Sequence, residues 1–289
     1  MFSYDEFTTR NIGFVNAQEQ ARLRDARVFV CGVGGMGGAA IQSLARAGVE
    51  QFAIADIDSF EVSNFNRQVF ADLDSAGLDK AEATAQRLRR INPGIRLEVL
   101  GAEWQHKLDE LLPRYPVVIN GMDDIVACID LYRRAQRHGA SVIDAYTSPL
   151  PSVTLVGPQA LRPEQRLGFA SVGRDPADLD ATTRAECFLR EVEYVLVHSS
   201  TVRHIDLAVA RDLVAGKRKR MSFAPMVITT GNLMAFEAIK LILGRTPLAD
   251  ARGYFFNPWR MRVERPMPWP LALPRRLLVR AFLRKMLRG

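Results

Sequence analysis

The stretch VFVCGVGGMGGAA, residues 28–40, places Gly32, Gly34, Gly35 and Gly37 between an apolar run and a series of small, helix-forming residues. At a strand-to-helix turn, G-x-G-x-x-G spacing leaves bare backbone, so a phosphate can approach the first N–H groups of the helix. Gly32, Gly34 and Gly37 keep that spacing. Asp56 closes the next apolar run, QFAIADID, where an acid can reach a ribose hydroxyl. The alternative is structural: the glycines do no more than let strand and helix pack closely.

A dinucleotide site requires only the loop and the acid, whereas here Asp58, Asn64, Arg67, Gln68 and Lys80 follow within one segment. An arginine fork and a lysine point charge suit a triphosphate. Taken singly, Arg67 reads as a surface ion-pair partner and Lys80 as a solvated helix residue. Cys31, Cys128 and Cys187 are widely separated and form no CxxC pair, so a disulfide framework is not expected and a reducing, cytoplasmic setting is. Cys187 is a nucleophile only if its surroundings lower its pKa, and otherwise a packing residue. His198 and His204 lie six residues apart, which does not place two ligands on one helical face.

These residues need a scaffold, and the pattern supplies one. RVFVCG, QFAIADID, IRLEVL, YPVVING and SVIDAY read as short strands. GAAIQSLARAG, DKAEATAQRLRRIN and segments near 105–112 and 124–138 read as helices between them. Strands alternating with helices predict an α/β fold: a Rossmann-like, doubly wound, mostly parallel sheet with helices on both faces. The rhythm fails at residues 159–221, which look polar and irregular. APMVITTGNLMAFEAIKLILG then restores a long helix, and GYFFNPWRMRVER offers one or two closing strands. The expected organisation is one domain over 1–265, with a core at 20–158 and 222–265, an insertion at 159–221, and a basic tail at 266–289.

The 289 residues carry a net charge of +7. Residues 251–289 hold ten Arg or Lys against Glu264 alone, so the basic character belongs to the tail. A tail helix with Leu277, Leu278, Phe282 and Leu287 near one face can be a solvated helix packed on its own protein or on a dimer partner, the favoured reading, or meet an anionic membrane or nucleic acid. No uncharged apolar run approaches the ~20 residues of a membrane span, and no leader is expected.

GVGGMGG, DIDSFEVSNFNRQ and GLDKAEATAQRLRRINP together resemble the ThiF family, the adenylyltransferases related to ubiquitin-activating enzymes and bacterial sulfur-carrier activators. The resemblance covers about residues 8–158 and resumes at GNLMAFEAIKLILG. It implies ATP-dependent activation of a carboxylate as an acyl adenylate, with loss of pyrophosphate. It assigns the ribose to Asp56 and the ATP phosphates to Asn64, Arg67, Gln68 and Lys80. It gives Mg²⁺ to Asp123 and implies a homodimer in which Arg10 reaches the partner's ATP site. Asn120 stands where an aspartate is usual and Asp124 where an asparagine is usual, so Asp124 is a second candidate for the metal. The two CxxC pairs that bind zinc in many members are absent, as is a thioester cysteine before APMVITTGN, so zinc is not expected. The implied substrate is a carboxylate on a small protein, a peptide or a metabolite, recognised by the insertion. Because a carboxylate, with a reference pKa of about 4, is already ionised at neutral pH, no general base is required.

Overall fold

The computed structural model describes residues 2–214, 216–218 and 220–288, and the side chains of Val214 and of residues 286–288 lie outside the description. The side chain of the tail residue Leu287 and Lys219 of the GKRKR run therefore fall outside it.

Five short apolar runs form parallel strands: β1 (Arg27–Cys31), β2 (Gln51–Ala55), β3 (Arg96–Leu100), β4 (Val117–Asn120) and β5 (Ser141–Asp144). β1, β2 and β4 are buried along most of their length, as central parallel strands covered on both faces must be, whereas the edge strand β3 buries only Leu100. β6 (Ser152–Val156), β7 (Tyr254–Asn257) and β8 (Arg262–Glu264) extend the sheet antiparallel. The order is β3-β2-β1-β4-β5-β6-β7-β8. Direction along the sheet reverses between β1 and β4, and such a switch point opens a crevice at the carboxyl ends of its strands.

The N-terminal helices α1 (Tyr4–Thr8) and α2 (Ala17–Asp25) precede β1. α3 (Gly35–Arg46) follows it and buries Ala40, Ile41 and Leu44, each fully enclosed. A buried Leu or Ile contributes roughly 1.5–3 kcal/mol relative to an exposed one. α4 (Lys80–Ile91), α5 (Leu108–Arg114) and α6 (Ile125–Arg137) complete the alternation.

The insertion is more regular than its polar sequence predicts. It contains α7 (Pro163–Leu167), the 18-residue α8 (Ala181–His198) and α9 (Leu207–Val214). Asp180 caps α8 by accepting from the Thr183 N–H at 2.7 Å, and Cys187 lies inside a small core with Ile129, Leu167, Phe169 and Leu179. Clusters this small read as polar in sequence because few of their positions are apolar and fully buried.

α10 (Ala224–Leu243) is long and apolar enough by composition to cross a membrane, although Glu237 and Lys240 keep it from being an uncharged run of that length. Here it packs on α3 and on the sheet, with Met234, Ala235 and Ala238 in the main core. Its Glu237, fully buried, accepts from the N–H groups of Leu248 and Ala249 and pairs with Lys240 at 2.8 Å.

α11 (Trp269–Arg288) packs on α8, in line with the favoured reading of the tail. Its inward face differs from the expected one. Ala272 and Leu283 are buried, whereas Leu277 and Leu278 are 60% and 72% exposed. Arginines decide the orientation. Arg276 and Arg280 both bond Glu193 of α8, the latter at 2.9 Å, and Arg275 donates to the carbonyls of Leu196 and Ser199.

Candidate functional site

A cleft of about 1120 Å³ opens at the switch point between β1 and β4. Gly32, immediately after β1, adopts φ +80°, and a Cβ there would lie 2.8 Å from the Gly121 carbonyl carbon. Only glycine permits both the left-handed turn and this approach. Gly34 and Gly35 face the cleft. Gly37 does not: it is buried, and a Cβ on it would meet the Gly32 carbonyl oxygen. Gly37 is thus placed where close packing under the loop requires glycine, while Gly32, Gly34 and Gly35 line the cleft.

α3 begins at the cleft with no side-chain cap on its first turn. Those N–H groups carry the positive end of the helix dipole and suit an anion. Gln68, 7% exposed in the cleft wall, has an Oε1 with no partner. A buried amide oxygen left unpaired costs free energy that a bound donor recovers. Asp56 receives the Val33 N–H at 2.8 Å and the Asp58 N–H at 3.0 Å, which fixes its carboxylate at the cleft with acceptor capacity to spare. Burial raises its pKa, against those hydrogen bonds and the charge of Lys80.

Lys80, the first residue of α4, is 7% exposed and forms an ion pair with Asp58 at 2.8 Å. It is not the solvated helix residue of the alternative reading. Arg67 donates to the Ser63 carbonyl and to Asn66 Oδ1, which aim its guanidinium along the same wall. Asn64 is buried and tied to its own turn, where its Oδ1 accepts from the Glu61 N–H at 3.1 Å, so its side chain is partly committed to shaping the loop.

Asp123 and Asp124 follow β4 on the opposite rim. Asp124 caps α6 by accepting from the Ala127 N–H at 2.7 Å. Asp123 is exposed and has no hydrogen-bond or ion-pair partner among the described residues. An unengaged carboxylate beside a phosphate site is the kind of donor that Mg²⁺ takes alongside phosphate oxygens and water. The residues present therefore fit ATP with Mg²⁺, on the orphaned Gln68 oxygen, the uncapped α3 start and the free Asp123. Among the described residues no cluster of three or more His, Cys, Asp or Glu could hold a metal by itself.

Arg10 is exposed, in a short 3-10 turn at Thr9–Asn11, and does not line the cleft of its own chain. Cys187 is fully buried in α8 and also lies outside the cleft. His198 accepts from the Met267 N–H at 3.1 Å, and burial with surrounding arginines lowers its pKa to about 4. His204 lies 3.1 Å from Asn257 Nδ2. Both histidines hold the insertion to the C-terminal segment, consistent with ordinary insertion residues.

Sequence reasoning missed Arg184 and Arg220, which the insertion brings to the cleft, and Tyr146 and Ser148 beyond β5. Arg220 sits in the GKRKR run, whose charge reads as a solvated face; it stays exposed but lies at the cleft rim. Nothing in local spacing could have found the others.

The model of the ThiF family matches residues 8–272. The molybdopterin-synthase adenylyltransferase of Salmonella typhimurium is 30% identical over 224 residues, covering 77% of this chain and 75% of that protein. The tRNA threonylcarbamoyladenosine dehydratase of Escherichia coli is 45% identical over 76 residues, covering 26% of this chain and 28% of that protein. The chain thus spans less than half the length of several curated relatives that it matches. Among solved structures, the Microcin C7 biosynthetic enzyme MccB, in complex with N-formylated MccA, is similar in fold at TM-score 0.65 and 19% identity, covering 91% of this chain and 73% of that one.

Proposed function

The chain belongs to the ThiF family, and from that membership we propose that it is a homodimeric, ATP-dependent enzyme that activates a substrate carboxylate as an acyl adenylate. One observation carries the reading beyond family: Arg67, Lys80, Gln68 and the uncapped start of α3 converge on one cleft wall, with Asp123 unengaged opposite. In the reaction a carboxylate oxygen attacks the α-phosphorus of ATP, the bond to the bridging oxygen breaks, and pyrophosphate leaves. Little proton transfer is involved, so the protein's task is to position the reactants and stabilise spreading negative charge. Asp56 orients the ribose. Arg67 and Lys80 meet the phosphates, and Lys80 exchanges its pair with Asp58 for phosphate oxygens. Asp123 would hold Mg²⁺, which would supply neutralisation of the phosphate charge. Arg10 enters from the partner subunit.

The test is ATP–pyrophosphate exchange with a panel of carboxylic acids. Exchange that depends on the acid, and that is lost in Asp123→Ala, supports the proposal. ATP binding without exchange for any acid would favour a nucleotide-sensing scaffold instead. By their names, the two relatives above differ in substrate, a molybdopterin synthase in one and a modified tRNA adenosine in the other. The carboxylate must therefore be sought in the walls of this chain's own site.

A further inference from the structure

A second, smaller cavity of about 70 Å³ adjoins the nucleotide cleft and shares Met36, Met122, Asp123, Tyr146 and Arg220 with it. A group attached to a carboxylate reacting beside Asp123 can enter it without leaving the cleft. Its walls are apolar on the α6 and α7 side, where Ile125, Ile129, Leu167 and Phe169 line it. Its polar groups are unusual in their pairing.

Asp144, the last residue of β5, accepts from the Tyr132 hydroxyl at 2.7 Å, the Asn120 amide at 2.9 Å and the Ala145 N–H at 2.6 Å. All three donors are neutral. Glu191, from α8 of the insertion, accepts the Thr147 N–H through Oε1, and its Oε2 has no partner among the described residues. Neither carboxylate has an ion-pair partner among the described residues. The other charges facing the cavity are already matched or lie at its mouth. Glu164 is held by Arg162 at 2.9 Å and Arg133 at 2.7 Å, and Arg220 donates to the Thr147 hydroxyl at the exposed rim. Two carboxylates without a counter-ion in a small, mostly apolar space carry an uncompensated desolvation cost. The cost registers on Asp144, whose pKa burial pushes up to about 6, with Glu191 adding to the rise. A cation on the ligand offsets this cost.

We propose that this cavity, framed by Asp144 and Glu191, recognises a cationic group, an ammonium or guanidinium, carried by the carboxylic acid that is adenylated. The inference rests on the adenylation reading and extends it to substrate class. Asn120 has a direct part. As an amide it donates to Asp144, whereas an acid in its place would add a third negative charge.

The experiment measures exchange kcat/KM on the full chain for N-acetyl-arginine against N-acetyl-citrulline, and for N-acetyl-norleucine and N-acetyl-glutamate against Nα-acetyl-lysine. The expected result is a preference of about tenfold or more for the cationic member of each set. In Glu191→Gln, which keeps an acceptor for the Thr147 N–H, that ratio collapses towards one. Asp144→Asn reduces it similarly, and Glu191→Gln decides the matter should the Asp144 variant fail to fold. Equal use of neutral or anionic acids, a ratio unchanged in Glu191→Gln, or no exchange with either cationic acid overturns the proposal. Calorimetric titration with ATP separates the two levels. If ATP binds and some other acid supports exchange, the cavity inference alone has failed; if ATP does not bind, the adenylation reading has failed with it.

Discussion

Asp123 and Asp124 are adjacent acids in opposite situations. Asp124 Oδ1 satisfies the Ala127 N–H, an N-cap of α6, while Asp123 has no partner among the described residues. Removing a cap costs typically about 1 kcal/mol, and removing an exposed, unpaired side chain costs within about 0.5 kcal/mol. Asp124→Ala is therefore expected to lower stability in urea titration while retaining most exchange activity. Asp123→Ala should leave the unfolding midpoint nearly unchanged and reduce exchange by about a hundredfold or more, as loss of a site for developing charge does. The reverse pattern would move the metal to Asp124. Asp144 gives a second residue-level prediction. Its carboxyl is raised to about 6, chiefly by burial, while the Tyr132 hydroxyl, the Ala145 N–H and the Asn120 amide oppose the rise and the charge of Glu191 on α8 adds to it. Cys128 on α6 also lines that cavity. A carboxyl with a raised folded pKa favours the folded state while protonated. That contribution is complete below the ordinary value near 4 and is lost as pH rises through about 6. Urea unfolding of wild type and Asp144→Asn from pH 4 to pH 7 should show the variant gaining on wild type by about 2–3 kcal/mol across that window, and parallel curves would refute it.

At the scale of elements, the parallel half of the sheet and the phosphate loop were legible because both have local signatures. β1, β2 and β4 are short, mostly apolar runs, β3 and β5 carry apolar residues between polar ones, and Gly32 and Gly34 keep a spacing that a strand-to-helix turn demands. The insertion was not legible. Helices α7 and α8 enclose only a small core around Cys187, so their sequences carry a weak apolar periodicity. The cavity was hidden for a further reason: Asp144 and Glu191, 47 positions apart, come to one cavity only in the tertiary structure, where Glu191 of α8 takes the Thr147 N–H just past β5. The tail was legible in charge but not in orientation, because a pattern of apolar residues alone misplaced Leu277 and Leu278. Glu193 settles it, since an almost buried acid on α8 draws Arg276 and Arg280 inward. Burial alone would raise the Glu193 pKa, but the Arg280 and Arg276 bonds outweigh it and hold it low. Its stabilisation is thus present above the ordinary glutamate pKa and is lost as pH falls through the lowered folded value. Glu193→Gln is expected to cost about 1–3 kcal/mol near neutral pH and to speed amide exchange in residues 269–285 selectively, measured by mass spectrometry. Uniform exchange across the chain would mean that α11 docks by its apolar contacts alone.

For the whole molecule, the position of Arg10 relative to the cleft is informative. Tyr4 donates to the Gly48 carbonyl and Asn11 to that of Ala47, so the N-terminal segment is fastened beside the end of α3, and Arg10 projects from it exposed. The cleft wall of the same chain is already furnished by Arg67, Lys80 and Arg220, and Arg10 is not among its lining residues. A homodimer in which each Arg10 completes the other chain's site makes a prediction that a monomer or an in-cis arrangement cannot meet. Arg10→Ala and Lys80→Ala should each abolish most exchange when pure, since every site in either homodimer lacks one cation. In a mixed dimer, one site lacks both cations, whereas the other keeps Lys80 from the Arg10→Ala chain and Arg10 from the Lys80→Ala chain. Random equal mixing makes half the dimers mixed, and half of their sites intact, so activity should recover to about a quarter of wild type. Recovery should follow the subunit exchange rate and vanish if the dimers are cross-linked before mixing. If mixing restores nothing while the two variants demonstrably exchange subunits, Arg10 acts within its own chain or not at all.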